Sequence, residues 1–293
     1  MDMVPWDGAG EGSTGEPLAF RRLSHGFIVR CEDPTLRAYL LGVLSRFAVS
    51  GPLNGATTYE VQDLGPSETS SRYRLLIDGK WVLGSGNPSH ILNDLFSHVN
   101  VDTVEASREY VLVHAGAVVT PRGVGVMLPA PSGSGKTTLV AGLVRSGFGY
   151  LSDEAAVLDP DTGTLHPYPV HLSLKGASRD RFPEGAPDTS HAGFAGEAWH
   201  VDAEALRAGS VAEPCDVGFV VAHRYEPGVD LRLDPLTQAE ACVELVGNLM
   251  LGRRDAPRSM ELLARICQVS KGYRLTHGDL DEAVGAIVEL TGA

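Results

Sequence analysis

Apolar and polar residues alternate over short stretches in the first third of the chain and recur at helical spacing in two longer ones. Strand-like stretches occur at residues 27–29, 58–63, 73–78 and 80–83. The Asp78-Gly79 pair predicts a hairpin turn between the last two, because this dipeptide readily adopts positive φ angles. Helices are predicted over residues 35–49 and from Pro88, where apolar side chains fall on one face. The pattern favours a small α/β domain over residues 17–106, after a mobile, Gly- and acid-rich tail at residues 1–16.

From Tyr110 the apolar runs become longer and alternate with helical stretches. Strands are predicted at residues 110–119, 124–128, 150–158, 172–174, 217–222 and 273–276. Helices are predicted at residues 136–146, 238–251 and 258–268 and from residue 279 onwards. Residues 176–200 lack any periodicity and predict a long loop. This alternation of strands and helices is typical of an α/β domain, which we assign to residues 107–293.

Charge and cysteine content narrow the function classes. The chain has 24 Lys and Arg against 37 Asp and Glu, a formal net charge of −13, so it has no global attraction to nucleic acid or anionic membranes. No apolar run approaches the roughly 20 residues that span a bilayer, and no signal-peptide pattern occurs. The four cysteines lie far apart without a C-x-x-C pair, which argues against a zinc site or a disulfide scaffold. We therefore expect a soluble cytoplasmic protein without a nucleic-acid or membrane partner.

A glycine-rich loop at residues 130–137 (APSGSGKT) is the sharpest motif in the chain. It matches the phosphate loop G-x-x-x-x-G-K-[ST] except that Ala130 replaces the first glycine. Gly133 and Gly135 let consecutive backbone N–H groups point at phosphate oxygens, and Lys136 is expected to reach the terminal phosphates. A predicted strand precedes the loop and a predicted helix follows it, as the motif requires. The expected nucleotide-binding residues are Pro131, Ser132, Gly133, Ser134, Gly135, Lys136, Thr137 and Thr138.

Two adjacent acids, Asp153 and Glu154, interrupt the next apolar run. A strand end beside a phosphate loop is where a carboxylate that holds Mg²⁺ or accepts a proton is expected. Side chains alternate along a strand, so one acid can face the nucleotide while the other supports the metal or the turn. We predict Mg²⁺ ligation by Thr137, Asp153 and Glu154; an ordinary solvated strand end is the alternative.

His114-Ala115, Gly125-Val126, APSGSGKTTL and SGFGYLSDEAAVL together resemble the catalytic domain of HPr kinase and its broader relatives, over residues 110–175. The resemblance implies a P-loop kinase domain of the phosphoenolpyruvate-carboxykinase-like type, preceded here by the small α/β domain. It also implies ATP and Mg²⁺, with Asp153, His114 and Lys136 as catalytic residues and Asp153 as the base. Relatives assemble, so the resemblance allows a homo-oligomer.

The same resemblance bears on the acceptor. The Glu-Arg-Gly-Leu-Gly segment of true HPr kinases is not visible, and PYPVHLSLKGASRDRF stands in its place, with Lys175 as a further candidate for nucleotide binding. Some relatives phosphorylate a serine of a natural-product precursor peptide. We therefore expect a kinase that acts on Ser or Thr of a peptide or protein, or on a small hydroxylated metabolite. A nucleotide-hydrolysing switch or sensor is the alternative.

Other polar residues are weaker candidates. Arg179 and Arg181 either clamp a phosphate or an acidic acceptor or lie in solvent. Arg253-Arg254 either contacts the base or a partner or forms an ordinary charge pair at a helix end. The histidines near the long loop match no spacing typical of metal ligands; they are His166, His171, His191 and His200.

Overall fold

The computed structural model describes residues 17–65, 71–188, 194, 196, 198–250 and 256–293. The chain is a mixed α/β protein that divides into two compact units. The first unit comprises Met1–Ser107 with Pro187–Trp199, and the second comprises Arg108–Ala186 with His200–Ala293. The predicted tail at 1–16, His191 and the Arg253-Arg254 pair lie outside the described residues.

The first unit contains a five-stranded sheet in which strands follow one another in chain order. Its strands are β1 (Leu18–Arg22), β2 (His25–Cys31), β3 (Thr57–Asp63), β4 (Tyr73–Ile77) and β5 (Lys80–Ser85). Strands β2 and β3 run parallel and the other neighbours antiparallel. The predicted hairpin is confirmed: Asp78 and Gly79 have φ angles of 48° and 73°, as the tight turn between β4 and β5 requires.

Two helices of this unit each begin with a side-chain cap that is followed by proline. Helix α1 (Pro34–Leu44) begins where the Asp33 side chain accepts a hydrogen bond from the Leu36 amide, and a 3-10 turn at Ser45–Phe47 continues it. Helix α2 (Pro88–Ala106) is capped by Asn87, and in both helices proline occupies the first turn, where its missing N–H costs nothing. Both predicted helices are confirmed.

The second unit is built on a six-stranded and a three-stranded sheet. Its strands are β6 (Val111–Val113), β7 (Ala115–Val119), β8 (Gly125–Pro129), β9 (Gly149–Ser152), β10 (Ala156–Leu158), β11 (Leu165–His166), β12 (Leu172–Lys175), β14 (Val217–Tyr225), β15 (Arg232–Leu236) and β16 (Lys271–His277). One more strand, β13 (Ala198–Val201), includes the chain position after Trp199 at which the second unit resumes. The larger sheet has the order β15-β16-β14-β8-β7-β9, and the smaller one β11-β10-β6. Strands β8, β14 and β16 run parallel, so their carboxyl ends share one edge.

The described residues of the second unit contain six helices. They are α3 (Lys136–Arg145), α4 (Ser178–Arg181), α5 (Ala203–Leu206), α6 (Gln238–Gly247), α7 (Ala256–Val269) and α8 (Leu280–Thr291). Helix α3 lies very close to the sheet, because a Cβ on Gly116 of β7 would come within 2.6 Å of the Val140 side chain. In the part of the chain that the structure describes, no helix is long and apolar enough to cross a membrane.

Two strand predictions are wrong in an informative way. Each of the runs 110–119 and 150–158, predicted as one strand, is two strands in different sheets: β6 and β7 part at His114, and β9 and β10 part at Asp153–Ala155. Apolar, buried residues flank both breaks, so periodicity gives no sign of them. Both breaks bring polar residues to the same place in the unit, since the Nδ1 atom of His114 lies 3.0 Å from the carbonyl oxygen of Glu154.

Other sequence predictions needed smaller corrections. The predicted loop at 176–200 contains α4, a 3-10 turn at Pro183–Gly185 and the start of β13. Strands β1, β11 and β15 were not predicted. Strand β15 lies at the edge of its sheet and is largely exposed, so it lacks the apolar alternation that marks a half-buried strand.

Candidate active site

The phosphate-loop motif lies between β8 and α3, at the edge where the parallel strands end. Gly133 and Gly135 have φ angles of 81° and 87°, a region that side chains rarely adopt. Gly135 caps α3 without any side-chain hydrogen bond, so the first amides of the helix are not satisfied by a cap. Pro131 and Ser132 are exposed, which leaves this turn accessible. The loop therefore has the conformation and the free amide donors that a phosphate group needs.

Lys136 begins α3 and is buried, with only 7% of its surface exposed. Its Nζ atom donates to the Nε2 atom of His114 at 2.7 Å and to the carbonyl oxygen of Ala130 at 3.3 Å. Burial lowers the pKa of the Lys136 ammonium group, and the nearby carboxylates of Glu154 and Asp153 oppose that effect. The ammonium group is thus held at the mouth of the loop by neutral acceptors.

His114 occupies the break between β6 and β7. Its Nδ1 atom lies 3.0 Å from the carbonyl oxygen of Glu154, which can only accept, so Nδ1 carries the hydrogen and Nε2 accepts from Lys136. Burial, followed by the charge of Lys136, lowers the pKa of His114 and keeps the ring neutral. The histidine therefore connects the lysine of the loop to the acidic turn.

Asp153 is buried beside the loop, with 6% of its surface exposed. Thr137 donates its hydroxyl hydrogen to Oδ2 of Asp153 at 2.9 Å, and the Tyr150 hydroxyl lies 3.2 Å from Oδ1. Burial, with the charge of Glu154, raises the pKa of Asp153 to about 7, although both hydroxyl groups and Lys136 favour the charged form. Tyr150 also donates to the carbonyl oxygen of Val170 at 2.6 Å. Since a hydroxyl group has one hydrogen, a protonated Asp153 that donates to Tyr150 fits this pair of contacts.

A turn fixed by Ser152 sets the directions of the two acids. The Ser152 hydroxyl oxygen accepts from the backbone amides of Glu154 and Ala155 at 3.2 and 3.1 Å. This bonding ends β9 and turns Asp153 inward, whereas Glu154 is only half-buried. Both acids lie in this turn, outside β9 and β10, so strand alternation does not apply to them, and their division between nucleotide and metal stays a prediction.

A magnesium–nucleotide complex fits this donor set. Mg²⁺ in proteins usually has one or two carboxylates, phosphate oxygens and waters as ligands. Thr137 and Asp153 are in direct contact beneath the loop, and Glu154 is the next residue in the chain. Within the described ranges, no group of three or more His, Cys, Asp or Glu residues converges as an all-protein metal site would require.

The remaining predicted residues have different surroundings. Thr138 forms a 2.6 Å hydrogen bond with Ser178 of α4, which ties α3 to the segment after β12. Lys175 ends β12 and is exposed. Arg181 lies 3.4 Å from both Asp279 and Asp281 at the start of α8, so acidic side chains already accompany its charge.

Sequence reasoning missed four residues near the loop: Tyr150, His223, Tyr225 and His277. Tyr150 lies on β9 and contacts Asp153, as described above. The other three end β14 and β16, whose carboxyl ends share the edge of the sheet with the phosphate loop. The signal that could have found them is positional, because in open α/β sheets ligands bind at the carboxyl ends of parallel strands.

Comparisons with known proteins add a distant structural likeness. No family model matches the chain, and no curated protein matches its sequence. Among solved structures, the chain is similar to the Hpr(Ser) kinase/phosphatase from Coxiella burnetii, with 12% sequence identity and a TM-score of 0.32. The match covers 61% of this chain and 97% of that one. A relationship this distant assigns neither a substrate nor a reaction.

Proposed function

We propose that this protein is an ATP- and Mg²⁺-dependent phosphotransferase that moves the γ-phosphoryl group of ATP to a hydroxyl acceptor. The acceptor is a serine or threonine of a peptide or protein, such as a natural-product precursor peptide, or a small hydroxylated metabolite. One observation carries the proposal: Asp153, buried and with a pKa of about 7, is hydrogen-bonded to Thr137 at the start of the phosphate-loop helix. A proton acceptor adjusted to neutral pH beside such a loop suits transfer to a hydroxyl group.

Asp153 in its carboxylate form accepts the proton of the acceptor hydroxyl group. The acceptor oxygen forms a bond to the γ-phosphorus, while the bond between that phosphorus and the β,γ-bridging oxygen breaks. ADP leaves with the electron pair of the broken bond, and Asp153 later releases its proton to solvent. Because phosphoryl transfer needs little covalent help, most of the catalysis falls to positioning and charge stabilisation.

Lys136 and His114 supply that charge stabilisation and its orientation. The Lys136 ammonium group has three hydrogens, and neutral acceptors on His114 and Ala130 take two of them. No carboxylate pairs with Lys136 within 4.0 Å among the described residues, so its charge remains available for the terminal phosphates. His114 holds this ammonium group and cannot compete with it for the phosphate as a second cation, because its own pKa is lowered.

Thr137, Asp153 and Glu154 are the residues that would hold Mg²⁺. When bound, the ion neutralises charge on the transferring phosphoryl group. Thr137 and Asp153, which are hydrogen-bonded to each other, would both present oxygen atoms to the ion.

The experiment that tests this function follows the γ-phosphate of labelled ATP. Purified protein is incubated with Mg²⁺ and γ-³²P-ATP together with Ser- and Thr-containing peptides or hydroxylated metabolites, and the label is located by chromatography. Transfer to an acceptor supports the phosphotransferase. Label found only as inorganic phosphate, whichever acceptor is supplied, would instead support the nucleotide-hydrolysing switch, and absence of ATP binding would contradict both functions.

A further inference from the structure

His223 lies behind the phosphate loop and, among the described residues, makes its hydrogen bond there. Its Nε2 atom lies 3.1 Å from the carbonyl oxygen of Ser134, the residue between the two loop glycines. A carbonyl oxygen can only accept, so Nε2 of His223 carries the hydrogen and donates it. His223 ends in the core with 4% of its surface exposed, and burial lowers the pKa of its ring to about 3, so the neutral form persists.

This hydrogen bond fixes the orientation of one peptide group of the loop. The carbonyl of Ser134 and the amide N–H of Gly135 belong to the same peptide unit, and no described peptide bond is cis. In a planar trans peptide the two groups point in opposite directions. By holding the carbonyl oxygen towards the core, His223 therefore turns the Gly135 N–H away from it, towards the side of the loop that receives phosphate.

Aromatic rings from two strands pack around His223. The ring of His277 stacks on it with centroids 6.0 Å apart, and Nδ1 of His277 donates to the carbonyl oxygen of Asp279 at 3.0 Å. Tyr225 packs on His277, with centroids 5.6 Å apart, and its Cβ lies 3.4 Å from the position of a Cβ on Gly135. The ends of β14 and β16 thus pack against each other behind the loop.

The unpaired atom of His223 argues against a role in packing alone. Its Nδ1 atom is buried and has no hydrogen-bond partner among the described residues. A buried acceptor without a partner costs free energy, and an apolar residue of similar size would avoid that cost. The imidazole at this position is better explained by the hydrogen bond that its Nε2 atom donates to the carbonyl oxygen of Ser134 in the loop.

We propose that His223 is a positioning residue for phosphate binding: its Nε2–H fixes the Ser134–Gly135 peptide so that the Gly135 amide faces the phosphate. This inference rests on the proposed nucleotide-binding function and extends it to a residue outside the motif. It assigns His223 to ground-state binding of the polyphosphate chain and not to proton transfer. Variants of His223 should therefore alter nucleotide affinity more than turnover.

The test compares two variants that differ in the donor. His223→Met has a similar length and no donor, and His223→Gln carries an amide N–H near the position of Nε2. We expect the Kd of Mg²⁺–ADP, measured by isothermal titration calorimetry, to rise roughly tenfold in His223→Met, the value of one lost hydrogen bond, and to recover in His223→Gln. With ATP as substrate, KM should rise in His223→Met while kcat changes less, because uniform binding is lost.

His25→Met is the matched control, since His25 is also a buried histidine but lies in the first unit, where its ring nitrogens contact Thr103 and Thr57. Its Mg²⁺–ADP affinity should equal that of the wild type. Thermal unfolding of each variant without ligand separates loss of fold from loss of loop geometry. Wild-type affinity in His223→Met, or equal weakening in His223→Gln, would overturn the positioning role while leaving the nucleotide site intact. If the wild-type protein itself binds no Mg²⁺–ADP, the proposed function fails first and the positioning role fails with it.

Discussion

Asp63 and Asp153 lie at the ends of strands, one in each unit. The surroundings of Asp63 lower its pKa, whereas those of Asp153 raise it. The guanidinium group of Arg72 contacts both oxygens of Asp63, at 2.8 and 2.6 Å, and this lowers the pKa of Asp63. Asp153 contacts the neutral hydroxyl groups of Thr137 and Tyr150 in the core, and burial raises its pKa to about 7. The first carboxylate has an environment that stabilises its charge. The second is kept in an environment that penalises charge, which is typical of catalytic sites.

Two histidines, one in each unit, show a similar contrast. In the first unit, the two ring nitrogens of His25 each lie 3.3 Å from a threonine hydroxyl, those of Thr103 and Thr57, so the polar contacts close on themselves. In the second unit, His114 faces the Lys136 ammonium group on one side and a backbone carbonyl on the other. The His25 ring thus contacts neutral hydroxyl groups, whereas the His114 ring lies beside a charged group.

The largest effect is expected when each aspartate is neutralised in turn, because only Asp153 is proposed to act in catalysis. Asp153→Asn should leave the affinity for ADP measured without Mg²⁺ near that of the wild type and lower turnover by about 10²–10⁴, the usual value of a general base. Asp63→Asn should leave turnover unchanged, because it lies in the other unit. Steady-state rates with a phosphorylatable acceptor check both. Equal turnover in Asp153→Asn and the wild type would remove Asp153 from the role of base.

Lys136 and Arg72 are the basic residues near Asp153 and Asp63, and their removal should have different effects on nucleotide binding. Lys136→Ala should weaken Mg²⁺–ADP binding by roughly 10- to 100-fold, since it removes hydrogen bonds from a charged donor to phosphate. Arg72→Ala removes the partner of Asp63 and should leave binding unchanged. Titration calorimetry measures both affinities. Wild-type affinity in Lys136→Ala would contradict the assignment of residues 130–137 as a phosphate loop.

Local patterns predicted the parts of this site that depend on neighbouring residues in the chain. The strand–loop–helix around Lys136 and the Asp78-Gly79 hairpin follow from periodicity and turn chemistry, and both appear in the structure. The strand break at His114 could not be predicted, because apolar residues on both sides give one continuous signal. At Asp153 the acidic pair marked the end of an apolar run, but the change from one sheet to another left no local signal. His223 and Tyr150 act through contacts that depend on sheet order, which a single sequence does not encode locally.

The pH dependence of the reaction tests the different pKa values of the two aspartates in the wild-type protein, without a substitution. Because Asp153 must be a carboxylate to accept a proton and its pKa is about 7, kcat/KM should fall roughly tenfold from pH 8 to pH 6. Asp63 has its pKa lowered and stays charged throughout that range. The measurement is a kcat/KM profile of the wild type and of Asp153→Asn at constant ionic strength. A descending acid limb that persists unchanged in Asp153→Asn would assign the titration to another group.

The last expected effect is on stability, and its sign differs between the two aspartates. The pKa of Asp153 is higher in the folded protein than in the unfolded chain, so the folded state binds the extra proton between about pH 4 and pH 7, and the free energy of unfolding falls as pH rises through that window. Asp153→Asn removes this penalty and should raise the free energy of unfolding by about 4 kcal/mol at pH 8, with little difference from the wild type at pH 4.

Asp63 follows the opposite rule, because its folded pKa is lowered: its contribution is present above the unfolded pKa and disappears as pH falls through the folded one. Asp63→Asn should therefore lower the free energy of unfolding at pH 8, by less than about 1 kcal/mol because solvent screens this ion pair. Urea denaturation of both variants at pH 4 and pH 8 measures the two signs. A stabilising Asp153→Asn that has lost turnover means that the fold keeps this carboxylate at the expense of its own stability, which a residue serving structure alone does not do. If Asp153→Asn is instead destabilised at pH 8, the carboxylate is a structural group like Asp63, and the contrast between the two units fails.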